Sequence, residues 1–511
     1  MNVRRWLLPS IGTTIWLVVL LTLCLSYWRL VLINADGDPS LHWRLGHWMI
    51  EHRSVIRADV FSHTRPDKPI VTMEWLTEVA FAAAGDALGW NGVVLLAAVM
   101  IATGLWILYR QLLAEGNDIL LSSALTLLAA MTSWIHWLAR PHVFSFVILT
   151  FWAWQLRAFD QGRLPARRLF LLLVPLIALW VNLHAGFLTG LMLIGVYFVG
   201  AGTESLTHDV APRTTARRRM ATYVLLGVSC LMASLINPNG WKLHAYILDF
   251  LRHPKLVGMV NEFRSPNFHS SSTHGFLIML LVLVLALIVA RARLSRTEIL
   301  VIGWAGSLAL RWGRNVPVFA IVVTPILARH LTLWLAEVRN SSLLGRYRRI
   351  CDNVNEINAR ADGRWLVACV LVMLMLVMAK PRLVGGQPIL VTELLTNRFP
   401  VAAVQFLRQE PPVVHGEMFN DYGWGGYLAL ALPEHGVFVD GRNDFYGPEL
   451  IQDFDTVNRA HTGWEDVLRK HKVNWTILPR AHPLNELLAL HKDWSLSYTD
   501  DVAAIYSRKS E

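Results

Sequence analysis

The chain has 511 residues, of which 54% are hydrophobic and only 16% charged, and its mean hydropathy is +0.40. Its net charge of +10 comes without zinc-finger spacing, a Gly-rich phosphate loop or a basic-aromatic pattern, so nucleic acid is excluded as a partner. The arginines instead sit beside apolar runs, as charge flanking a membrane does, and the four cysteines (Cys24, Cys230 and Cys369 in apolar runs, Cys351 in an Arg-rich stretch) exclude a disulfide framework.

A hydrocarbon core about 30 Å thick takes roughly 20 apolar residues per helix. Apolar runs at 11–33, 91–114, 118–138, 141–159, 168–183, 186–203, 219–236, 274–292, 297–312, 315–337 and 364–380 predict about eleven spans. The first run is too long for a signal peptide and lacks a small-residue cleavage site, so it reads as a retained helix. Asn182, His184 and Gly186 interrupt the pair 168–183 and 186–203. Backbone left unpaired there must face protein or water, not lipid.

Eleven spans place Arg4 and Arg5, Arg110, and four further Arg-rich loops on one side. Those loops hold Arg157, Arg163, Arg167 and Arg168; Arg213, Arg217, Arg218 and Arg219; Arg291, Arg293 and Arg296; and Arg339, Arg346, Arg348, Arg349, Arg360 and Arg364. The positive-inside rule makes that side cytoplasmic. The loops 34–90 and 237–273, the turns at 139–141, 182–186 and 312–315, and the tail 381–511 then lie outside the cytoplasm. The expectation is a polytopic α-helical membrane protein in a bacterial inner membrane, with a cytoplasmic N-terminus. Residues 1–380 form its membrane part and 381–511 a periplasmic α/β domain.

The 34–90 loop opens on NADGDPSLHWRLGHWMIEH. Leu41, Leu45, Trp48 and Met49 fall on one helical face, which predicts an interfacial helix. A second covers Glu74–Leu88, with Trp75 and Trp90 as interface anchors. Asp38 before Pro39 reads either as a helix N-cap or as a general base at the membrane surface. Asp36 and His42 are placed to orient it; the set Asp36, Asp38 and His42 is also the candidate ligand set for a divalent metal ion. Further along the same side stand Arg140 and His142 in a tight turn, Asn182 and His184 at the broken span, Glu262 and Arg264, and Arg311 and Arg314 around Trp312-Gly313. Each has a bland reading as a cap, a turn or a snorkelling side chain. Polar residues gathered at one membrane edge mark a site. The tail predicts strands at 437–439, 475–478 and 503–506 and helices at 464–471 and 484–491. Asp440, Arg442 and Asp444 fall in its loops, and Trp424 and Tyr427 are candidates for stacking on sugar.

The order of span, acidic turn, interfacial helix, linker and second interfacial helix resembles the GT-C superfamily of polyprenyl-phosphate-sugar-dependent glycosyltransferases. Nearly the whole chain also resembles a group of bacterial polytopic membrane proteins of this type. The stretches that carry this are DGDPSLHWRLGHWMIEH, RADVFSHTRPDKP, MEWLTEV, ARPHVFSF, LWVNLHAGF, LINPNGW, EFRSPNFHS and FNDYGWGGYL…VFVDGRNDFYG. In GT-C relatives an Asp at the start of the first interfacial helix is the catalytic base, and Asp38 holds that position. Glu74-Trp75 stands near the place where better-known relatives carry Pro-Pro. The resemblance implies a transferase moving a sugar from a polyprenyl-phosphate donor to a lipid, glycan or protein acceptor in cell-envelope polysaccharide synthesis. Arg140, Arg264, Arg311 and Arg314 are the candidates to grip the phosphate. Glu74 and His184 are candidates to complete a cation site. A flippase for a lipid-linked saccharide, or a non-catalytic assembly protein, are the competing readings. The absence of a visible repeat and the clustering of charge at one surface favour the enzyme.

Overall fold

The fold comes from a computed structural model. It describes residues 6–252, 261–289, 294–337, 342–379, 390–409 and 414–509. The expected boundary at 380/381 and the loop arginines Arg4, Arg5, Arg291, Arg293 and Arg339 lie outside the described residues.

The helices of the first part are α1 (Ile11–Leu25), α2 (Trp28–Asn34), α3 (Asp38–His52), α4 (Trp75–Leu88), α5 (Trp90–Ala114), α6 (Ile119–Ser133), α7 (His142–Asp160) and α8 (Ala166–Leu183). They continue with α9 (Phe187–Glu204), α10 (Val210–Ala233), α11 (Trp241–Arg252), α12 (His274–Val289), α13 (Arg296–Arg311), α14 (Val316–Glu337), α15 (Ser342–Ala359) and α16 (Arg364–Ala379). Among the described residues six helices are long and apolar enough to cross a membrane, or seven if the bent pair α1–α2 is one span. The chain is a multi-pass membrane protein. The single run expected at 11–33 is broken: α1 and α2 meet at 67°, where the Ser26 hydroxyl donates to the Thr22 carbonyl at 2.6 Å.

Small residues set the helix spacing. A Cβ on Gly104 would collide with the Phe146 ring, and one on Gly92 with the Ala84 carbonyl, so α5 lies directly against α7 and α4. Gly46 likewise brings α3 onto α4 at Glu78. The apolar face of α3 expected to lie on lipid is instead packed inside the protein. Leu41, Leu45 and Met49 are buried with Ile56 and Phe61. Trp75 is not a free interface anchor either: its indole N–H donates to Asn182 Oδ1 at 2.7 Å. Arg157, expected in a loop, is buried near the end of α7, paired with Glu115 at 3.0 Å and Glu298 at 3.3 Å.

The C-terminal part runs α17 (Val401–Gln409), β1 (Glu417–Asn420), α18 (Gly425–Ala431), α19 (Asn443–Asn458), α20 (Trp464–Lys470), β2 (Val473–Pro479), α21 (Pro483–Leu490), β3 (Trp494–Thr499) and β4 (Ala503–Arg508). The strands form one sheet in the order β1-β2-β4-β3, with β1 parallel to β2 and the other pairs antiparallel. A parallel neighbour needs a crossover, and α18 to α20 supply it. Residues 437–439 are not a strand of this sheet. Asn420 bonds Phe438 N and the Val439 carbonyl, Thr64 bonds the Phe438 carbonyl, and residues 61–63 pair with Val437. Buried backbone must be satisfied somewhere, and here side chains and a single bridge do it.

One contiguous apolar core runs from the helices into the sheet, through Leu390, Val404, Trp475 and Ile505. A second, around Phe419, Phe438, Tyr446 and Trp494, belongs to the C-terminal part.

Candidate active site

The acidic turn after α2 is strapped from behind by the C-terminal part. Asn34 Oδ1 accepts from Leu395 N at 2.6 Å, and Arg398 donates to the Asn34 carbonyl at 2.7 Å. Gly37, not Asp38, is the N-cap of α3. The carboxylate of Asp38 is therefore not a cap. Its own N–H donates to Asp36 Oδ1 at 3.0 Å, which fixes the turn.

Arg140, in the turn between α6 and α7, reaches into this turn. Its guanidinium bonds Asp36 and Glu262 and lies 3.2 Å from Asp38 Oδ2. Asp38 keeps 27% of its side chain exposed. It faces a cavity of about 240 Å³ whose lining includes His42, Glu74, Glu78, Arg140, His142, His184, Glu262 and Arg314. Across the cavity the C-terminal part contributes Gly441, Arg442, Asp444 and Phe445. A Cβ on Gly441 would overlap Asp38 Oδ1, so that loop rests on the carboxylate itself.

The electrostatics divide the cavity. Burial pushes Asp38 up to about 6; Arg140 pulls down against it, while Asp36 pushes the same way as burial. Burial, with Glu78 close by, pushes Glu74 up to about 7. His42 lies 3.5 Å from Glu78, and burial opposes its charge, but Glu78, Glu74 and Asp38 together hold it above its usual value. Glu262 sits below the ordinary range: burial works to raise it, and Arg140 and Arg314 outweigh that.

His184 Nδ1 accepts from Gly186 N at 3.0 Å and lies 2.7 Å from Ser145 Oγ, which itself accepts from the Trp180 indole. Its proton therefore sits on Nε2, 3.5 Å from Glu74 Oε1. Arg314 makes no ion pair among the described residues; its guanidinium lies over the Phe263 ring at 4.6 Å. Among the described residues that line the cavity it is the arginine without an ion-pair partner, whereas Arg140 is surrounded by carboxylates and Arg442 is held by Asp59 and Asp440 at 2.9 and 2.5 Å.

Other expected residues fall elsewhere. Asn182 holds Trp75 and the Ala178 and Ile236 carbonyls. Arg264 and Arg311 have exposed side chains, and neither lines the cavity. Trp424 and Tyr427 are buried and not available to sugar: the Trp424 indole donates to the Arg398 carbonyl at 2.8 Å, and Tyr427 packs edge-on against Phe399. Among the described residues no group of three His, Cys, Asp or Glu side chains is arranged to hold a metal ion. Between Asp36 and Asp38 stands the Arg140 guanidinium, so that donor set fits an internal cation rather than a metal. Sequence reasoning missed Glu78, His136 and Tyr246, whose hydroxyl donates to Asp444 at 2.9 Å. The helical spacing of Leu243, Tyr246, Ile247 and Phe250 was the signal for α11 and hence for Tyr246.

No protein-family model and no curated protein matches the chain. Solved structures do. The Archaeoglobus fulgidus oligosaccharyltransferase in the apo form aligns at TM-score 0.56 and 12% identity, over 92% of this chain and 69% of its own. Arabinofuranosyltransferase AftD from Mycobacteria aligns at 0.53 and 14%, over 99% of this chain and 40% of its own. Apo ArnT from Cupriavidus metallidurans aligns at 0.50 and 14%, over 97% of both chains. The fold is GT-C-like, as the sequence resemblance implied.

Proposed function

We propose that this protein is a membrane glycosyltransferase that takes a sugar from a polyprenyl-phosphate donor and passes it to a hydroxyl outside the cytoplasm. The observation that carries this is Asp38: not used as the helix N-cap, facing a cavity at the edge of the helical bundle, and oriented by Arg140. In the reaction the acceptor hydroxyl attacks the anomeric carbon while its proton passes to Asp38. The bond from that carbon to the phosphate oxygen breaks, and the phosphate leaves with the electron pair. With no covalent intermediate, a single displacement inverts the anomeric centre. Arg314 is our choice for the phosphate grip, because among the described residues no carboxylate is ion-paired with it. Glu74 and His184 line the acceptor side. Arg140 and Asp36 position the base.

The same reading keeps eleven spans, with α7, α10, α13 and α16 crossing besides the seven. The cavity and the 381–511 domain face the periplasm of a bacterial inner membrane, and that domain roofs the cavity. The glycosyltransferase names of the oligosaccharyltransferase and of AftD support the reaction class. The test is Asp38→Asn in a deletion strain, with envelope glycans measured by mass spectrometry. Loss of a base lowers the rate by about 10²- to 10⁴-fold. Unchanged glycan with normal protein levels would assign the chain to saccharide transport or assembly instead.

A further inference from the structure

We infer that α15 is a lipid-surface helix, seated on an anionic bilayer leaflet at the end of the bundle opposite the cavity. Its position follows from its partners. Tyr347 donates to Asp118, the N-cap of α6, and Asn358 accepts from Ile11 N at the start of α1 at 2.8 Å. Asp36 follows the far end of the α1–α2 pair, and His136 the far end of α6, so the cavity and α15 occupy opposite ends.

One stripe of α15, with Tyr347, Cys351, Val354 and Asn358 at helical spacing, faces the protein. Beside it runs a second stripe, at seven-residue spacing, that stays exposed among the described residues. Leu343, Ile350 and Ile357 are 73%, 51% and 69% exposed. Large apolar side chains at that exposure on a helix this polar are costly in water. A bilayer surface is the occupant that fits, on two grounds.

The first is charge. Arg346 and Arg349 flank the stripe on its outer side, both are exposed, and neither makes an ion pair among the described residues. A basic edge beside an apolar stripe matches the boundary between acyl chains and anionic headgroups. The second is continuity. After the turn at Gly363, α16 leads on with exposed Trp365, Val372 and Leu376. At that junction the Trp6 and Trp365 rings lie 6.3 Å apart, with Arg364 over Trp6 at 5.8 Å. Tryptophan and arginine clustered at the foot of an apolar helix mark an interface level, and α15 lies at that level.

The test uses full-length protein in nanodiscs. Cys369 is exposed and the other three cysteines are buried, so Cys369→Ala provides the background for a single Ile350→Cys label carrying an environment-sensitive fluorophore. Leu343→Cys serves as a second, independent probe. Discs of phosphatidylcholine are compared with discs containing one third phosphatidylglycerol. The expected result is blue-shifted emission, quenched by doxyl-labelled lipid, in the anionic discs. Arg346→Gln with Arg349→Gln should lower the seated-to-lifted ratio roughly 30-fold there. Equal emission in both lipids and in detergent would overturn the inference. So would a shift that appears only in discs holding two copies, which would assign the stripe to self-association.

Discussion

Gly441 offers the sharpest test of the site. A Cβ there would overlap Asp38 Oδ1 and stand 3.2 Å from its Cγ. The backbone at 441 is not in the left-handed region, so alanine is conformationally allowed and the collision is the only cost. Asp38 cannot simply retreat, because Arg140 lies 3.2 Å away and α3 fixes its backbone. Relieving the overlap displaces the carboxylate by about 1 Å. Such a misplacement of a reacting group costs on the order of 10²-fold in rate, or about 2.7 kcal/mol in barrier. The assay is the initial rate of glycan formation by purified protein in nanodiscs, supplied with radiolabelled polyprenyl-phosphate sugar from the deletion strain. Gly195→Ala and Gly303→Ala serve as controls, since a Cβ at either meets nothing within 4 Å. A Gly441→Ala enzyme as fast as the two controls would refute the placement of the C-terminal loop on the base, and with it the role given to Asp38.

The remaining expectations concern charge and packing. A base near pH 6 must be ionised to work, so the rate should rise with pH through about 6 and level off above it; Asp36→Asn removes a charge that raises Asp38, so a pH–rate profile of that variant should place the rising limb at lower pH. Arg314→Gln should raise the donor KM by about 10- to 100-fold with an unchanged melting temperature. Arg140→Gln leaves Asp36, Asp38 and Glu262 unneutralised, so it should destabilise the protein by about 3–5 kcal/mol, seen as a lower melting temperature in detergent. Trp424→Ala should cost about 3–5 kcal/mol of stability with the acceptor KM unchanged, because its indole is a packing element and not a sugar platform.

The helical segments and the gathering of polar residues at one end were legible because hydropathy and arginine placement are one-dimensional signals. Which polar residues converge was not. Arg140, Arg264, Arg311 and Arg314 all carry the same charge in turns that the sequence assigns to one side, yet of these four only Arg140 and Arg314 line the cavity. That choice depends on helix rotation, set by close contacts such as Gly46 against Glu78, which no composition reveals. Asp38 read equally well as a cap or a base, and the geometry of Gly37 decides against the cap. Trp424 and Tyr427 lie among glycines in a loop-like stretch, but those glycines exist so that backbone can pack against backbone, which buries the aromatics. The buried run 437–439 has strand composition; its hydrogen-bond partners are side chains and one backbone bridge to residues 61–63. Strand β3 was missed because only Trp494 of its six residues is buried, leaving an edge strand with a weak apolar signal.

The glycines that join α3 to the C-terminal part bear on when the cavity is complete during synthesis. A Cβ on Gly426 would strike the Gly37 carbonyl, just as one on Gly441 would strike Asp38. The acidic turn that holds Asp36 and Asp38 is thus completed by a stretch that lies far along the chain. A polypeptide stalled before that stretch would hold Asp38 with nothing from the C-terminal part over it. On the function proposed above, the cavity would therefore close over Asp38 only once that later stretch has been made.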